Sequence, residues 1–107
     1  MQSYIQNVGA AGFEWDDGNT LKCQKHGLDQ TDIEHVFADI IQVAMDEAHS
    51  ITEPRQFAIG RTGHGRPAFV VFTLRQVAGT LMIRPLSARY MHTKEFKRYE
   101  PSKSTSF

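Results

Sequence analysis

"QFAIGRTGHGRPAFVVFTL", residues 56–74, decides how this chain folds. Phe57, Ile59 and Arg61 alternate with Gln56, Ala58 and Gly60, the period-two pattern of a strand whose faces meet different surroundings. Residues 62–65, "TGHG", supply a turn. "PAFVVFTL" at 67–74 is then apolar on both faces, which marks a central strand covered by helix on at least one side.

Working outward, Ile41, Val43 and Met45 alternate with Gln42 and Ala44 as an earlier strand, and "DEAHSITEP" at 46–54 reads as a loop. Downstream, "QVAG" at 76–79 turns the chain and 80–88 forms the next strand. Pro85 lacks an N–H and so belongs on an edge or at a bulge. Four strands with short connections predict an antiparallel meander. "FEWD" at 13–16 adds a short aromatic edge strand. Asn19 is predicted to cap a helix over 20–26 that stops at Gly27. Thr31 and Glu34 have capping-box spacing, and Ile33, Val36 and Phe37 share one face of the helix that follows. A last helix carries Lys94, Lys97 and Arg98, with His92, Phe96 and Tyr99 spaced to dock on the sheet. The expectation is an α+β domain over 13–100: an antiparallel curved sheet of about four strands, two N-terminal helices and a C-terminal helix, with the helices on one face. Residues 1–12 read as a flexible leader and 101–107 as a flexible tail.

At 107 residues, 40% hydrophobic and 22% charged, the chain is one small globular domain. No apolar run approaches the roughly 20 residues that span a bilayer, so no membrane partner is expected. The single cysteine, Cys23, cannot form an internal disulfide, and a reducing cytoplasm is the default setting. Net charge is zero, yet it is unevenly spread. Residues 1–54 set two lysines against ten acids, a balance of −8; residues 55–107 set ten Lys and Arg against two acids, a balance of +8. That split makes a polyanion partner plausible for the second half.

Other chemistries find little support. Cys23 and His26 are three residues apart, but no second Cys/His pair stands at zinc-finger spacing, so neither metal nor cofactor is expected. Ser87 lies outside any Gly-x-Ser-x-Gly elbow, and "GRTGHGR" lacks the Lys-Ser/Thr and the helix of a phosphate loop. The cations remain: Arg61, Arg66, Arg84 and Arg89 on the strands or their rims, then Lys94, Lys97 and Arg98 on the last helix. For the helix a solvated basic face explains the pattern well. The sheet arginines suit bidentate phosphate contacts better. Cutting RNA without a metal needs a base for the 2′-hydroxyl, cations for the charged phosphorane and an acid for the leaving oxygen. Lys25, His26 and Tyr99 can move protons; Arg66, Arg84 and Arg89 can hold charge.

"FEWDDGN", "KCQKHG", "IEHVF", "RQFAIGRTGHGRPAFVVFT" and "IRPLSARYMHTKEFKRYE" together resemble the BrnT family of bacterial type II toxins, in the same order from about Phe13 to Glu100. Leu86 stands where the family often has Ile. The resemblance implies a RelE-like fold and a ribonuclease toxin without a metal. It also implies a cognate BrnA-type ribbon-helix-helix antitoxin, in a complex of two of each chain that binds operator DNA through the antitoxin. By position it places the functional set at Lys25, His26, Arg66, Arg89 and Tyr99, with Glu95 as the closing acid. Arg61, Arg84, Lys94, Lys97 and Arg98 are the further cations available to RNA. A non-catalytic partner-binding or RNA-binding module of the same fold is the competing expectation.

Overall fold

A computed structural model describes residue 5, residues 8–46 and residues 53–100. The elements run β1 (Gly12–Phe13), α1 (Asp17–Gln24), α2 (Gln30–Ala38), β2 (Ile40–Met45), β3 (Gln56–Arg61), β4 (Pro67–Val77), β5 (Thr80–Tyr90) and α3 (Thr93–Lys97). β2 to β5 form the expected antiparallel meander. The sheet nevertheless has five strands, not about four, and it is mixed. Its order is β1-β5-β4-β3-β2, with β1 parallel to β5. β1 is the edge strand expected at 13–16, shortened to Gly12–Phe13, whose two residues pair with Met82 and Ile83.

β4 is the central strand because its alternate residues bury on opposite faces. On one face Ala68, Val70 and Phe72 join Ile33, Val36 and Phe37 of α2 and Cys23 of α1 in the main core. Phe37 sits edge-on between Phe13 and Phe72, at 5.4 Å and 5.0 Å between ring centres. Gly60 lets the end of α2 press onto β3. A side chain there would meet the Asp39 carbonyl at 2.6 Å and the Val36 carbonyl at 2.9 Å, so only glycine fits.

The opposite face holds a smaller cluster of Ile59, Met91 and Phe96, flanked by Ile41, Phe57, Phe69 and Tyr99. The expected placement of all helices on one face is therefore corrected: α3 docks Phe96 on the far side of the sheet. His92, expected on that docking face, is exposed and serves as the N-cap of α3.

The first two helices begin earlier than expected. Asp16, not Asn19, caps α1, and Asn19 completes the capping box from the third helical position. Asn19 is then buried, with its Nδ2 donating to the Glu14 and Pro85 carbonyls at 2.9 Å and 2.8 Å. Asp29 and Asp32 form the box of α2, two residues before the pair predicted. Gly27 takes φ +96° and turns the chain out of the α1 region, as only glycine does readily. β5 continues to Tyr90 through Pro85 because the register shifts there, with Phe72 opposite Pro85 and Val71 opposite Ser87.

Ile5 and Ala10 pack on the core, and the Ala11 N–H donates to the Leu81 carbonyl. The rest of the expected leader (1–4, 6 and 7), the loop positions 47–52 and the tail 101–107 lie outside the described residues.

Candidate active site

β5 carries two arginines of very different standing. Arg84 is 9% exposed and held in a two-pronged grip by Asp16, at 2.9 Å and 3.1 Å, with Glu14 at 3.2 Å. Its guanidinium ties the cap of α1 to the sheet. The hydrogen bonds from Arg84 hold the Asp16 carboxyl below its ordinary value, and Asp16 in turn pushes Arg84 up. Trp15 fastens the same corner by donating from Nε1 to Glu34 at 2.8 Å.

Arg89 lies farther along the same face of the sheet, since the irregularity at Pro85 leaves Arg84 opposite Thr73 and Arg89 opposite Phe69. It lies 4.7 Å over the Phe69 ring and makes a bidentate pair with Glu95 at 3.1 Å and 2.9 Å. That hydrogen bonding raises Arg89 and lowers Glu95, and Tyr99 adds a smaller electrostatic contribution to the rise of Arg89. Arg89 shares a cleft of about 110 Å³ with His26, Phe69, Val71, Ser87 and Ala88. Residues 63 positions apart in sequence thus meet because the chain leaving α1 passes beside β5.

Two further hollows adjoin this cleft, and Ser87 lines all three. One, of about 340 Å³, is polar and framed by Lys22, Arg55, Arg75 and Arg84. The other, of about 410 Å³, is floored by Phe57, Phe69 and Val71, with Asp46 and Arg55 also lining it.

The remaining predicted residues do not all converge on the cleft. Arg66 stacks 3.5 Å over the Tyr90 ring on the helix-covered side of the sheet, away from Arg89. Lys25 is the exposed C-cap of α1, next to His26 in sequence and not among the residues lining the cleft. Tyr99 packs beside α3 on the Arg89 side. Arg61 lies 4.5 Å over Phe96 and pairs with Glu100 at 3.3 Å. Lys94, Lys97 and Arg98 are exposed on α3 and at its end. Cys23 is buried, and burial pushes its thiol up to about 11, which fits a packed rather than reactive group. Among the described residues no three His, Cys, Asp or Glu side chains gather as a metal site would need.

Sequence reading set Ser87 aside as a nucleophile and passed over Phe57, Phe69 and Arg55. Strand parity is the signal that finds the first three. Ser87 and Arg89 share a face of β5, and pairing sets Phe69 opposite Arg89, Val71 opposite Ser87 and Phe57 opposite Val71.

A family profile described as "Ribonuclease toxin, BrnT, of type II toxin-antitoxin system" matches residues 15–95. The chain belongs to the BrnT family. It is accordingly a member of a family of ribonuclease toxins from type II toxin–antitoxin systems, for which a protein antitoxin is the partner. No curated protein matches the chain. The match begins at Trp15 and ends at Glu95, so it contains both arginine pairs of this BrnT chain and leaves Tyr99 outside. No helix among the described residues is long and apolar enough to cross a membrane.

Proposed function

We propose that this BrnT chain is a metal-independent endoribonuclease of RelE-like fold whose unrestrained action arrests growth in the cytoplasm. The observation that supports this most is the meeting of His26 and Arg89 in one cleft. His26 takes the proton from a ribose 2′-hydroxyl, whose oxygen attacks the adjacent phosphorus. Arg89 stabilises the negative charge that builds on the phosphorane oxygens. The bond to the 5′-oxygen then breaks, and that oxygen gains a proton from Lys25 or Tyr99. The products are a cyclic phosphate end and a 5′-hydroxyl end. Arg66 on the far face, with Arg61, Lys94, Lys97 and Arg98, serves RNA at a distance, through phosphate contacts rather than chemistry. A BrnA-type ribbon-helix-helix antitoxin holds the toxin in a complex of two of each chain and carries it to operator DNA.

A second reading, a binding module without cleavage, draws on the pairing of Arg89 with Glu95, which must loosen before a phosphate can take the guanidinium. One experiment separates the two. Purified toxin, freed of antitoxin, should cut single-stranded RNA in excess EDTA and leave 5′-hydroxyl ends. RNA that is retained but uncut under those conditions would favour the binding module.

A further inference from the structure

The hollow beside the catalytic cleft has no role in the chemistry just described. Its floor is Phe57, Phe69 and Val71, each half-buried although they belong to the middle of a sheet. Phe57 and Phe69 lie stacked, 5.0 Å apart and inclined by 19°. With Arg89 lying 4.7 Å over Phe69, the stacked ring pair and Val71 give the hollow an apolar lining against which a small flat group can pack.

We propose that this hollow is a nucleobase subsite that holds one unstacked base next to the cleaved phosphate. The inference rests on the ribonuclease reading and adds to it a reason for preferring some cleavage sites over others. Three features select a base. First, the hollow and the His26–Arg89 cleft share Phe69, Val71 and Ser87 as common walls, so a strand whose phosphate sits at Arg89 brings a neighbouring nucleotide within reach of it. Second, a base can extend the existing ring stack from the Phe57 side, whereas a phosphate would gain nothing from it. Third, the Ser87 hydroxyl at the rim can donate to or accept from the edge of a base. The Asp46 N–H donates to the Arg55 carbonyl at 2.8 Å, which ties together the residue just past β2 and the residue just before β3 at one end of the hollow.

The test uses a single-stranded RNA whose cleaved bond has been mapped, with an abasic ribose placed in turn at each nucleotide flanking that bond. Wild-type protein should lose roughly 10- to 100-fold in single-turnover rate at one flanking position, the scale of one base–aromatic stack. Phe57→Ala should shrink that penalty to about threefold or less, while Phe57→Trp, which keeps the stack, should preserve it. Equal cleavage of intact and abasic RNA by wild-type protein overturns the subsite and leaves the ribonuclease reading standing. Failure to cut any RNA overturns that reading and the subsite with it. If Phe57→Ala keeps the abasic penalty but no longer captures the antitoxin, the floor is a protein-docking surface and the proposal is wrong.

Discussion

Arg84 and Arg89 lie on the same strand, and each is gripped by a carboxylate through two hydrogen bonds, yet they belong to different economies of the molecule. Arg84 faces the corner where Glu14, Asp16 and the start of α1 meet the sheet, and almost none of it reaches water. Arg89 lies farther along the same face, clear of that corner, where its side chain is 44% exposed and shares a cleft with His26. A guanidinium walled in by its own chain braces the fold. One that is paired but accessible can exchange its carboxylate for a phosphate. Two arginines of equal rank in the sequence thus divide into a brace and a catalytic candidate.

The largest expected effect follows from that division. Arg89→Ala should lower RNA cleavage roughly 10²- to 10³-fold, the scale of removing one donor to a charged transition state. Its melting temperature should stay within about 2 °C of wild type, because an exposed ion pair contributes little to stability. A collapse of melting temperature in that variant would make Arg89 a second brace. Arg84→Met should do the reverse. Melting should fall by roughly 5–10 °C as charge-assisted hydrogen bonds to Asp16 and Glu14 are lost. Cleavage measured where the variant is folded should remain close to wild type.

A smaller effect concerns acid. Asp16 and Glu95 both have folded-state pKa values below their ordinary 3.8 and 4.5, chiefly through hydrogen bonds from Arg84 and Arg89. The stability they supply is therefore complete above those ordinary values and is lost as pH falls through the depressed ones. Chemical denaturation followed from about pH 5 down to about pH 3 should show falling stability in the wild type, with a shallower fall in Arg84→Met. Equal slopes would mean that the Arg84 grip does not set the Asp16 titration.

Much of the architecture was legible because strand periodicity survives in the sequence. Alternation at 56–61 and the doubly apolar run from 67 located β3 and β4; Gly27 has the positive φ expected of it, although the helix expected to reach 26 ends at Gln24. The helix starts were less legible. Asp16 and Asn19 are both good capping residues three positions apart, and which of them caps depends on Asn19 reaching the Pro85 carbonyl 66 residues away. The edge strand expected at 13–16 was found, but only at Gly12–Phe13, and its parallel pairing left no period to read. The site divided in the same way. His26 and Arg89 came from motif resemblance, and the structure brings them together. That Arg84 is a brace and that Arg66 sits on the other face depend on partners far along the chain, which local pattern does not encode. "FEWD" shows the same point. It carries much of the family resemblance, and its Glu14, Trp15 and Asp16 serve to fasten a corner through Arg84 and Glu34.

The central claim is that His26 and Arg89 act as one unit in the cleft beside Ser87. It is tested most directly by single-turnover cleavage of one defined RNA by wild type, His26→Ala, Arg89→Ala and the double variant, all in EDTA. Groups that act together in one transition state lose their effects non-additively. The double variant should therefore be little slower than the slower of the two single variants. Losses that multiply, or a His26→Ala protein that cuts at the wild-type rate, would contradict the account.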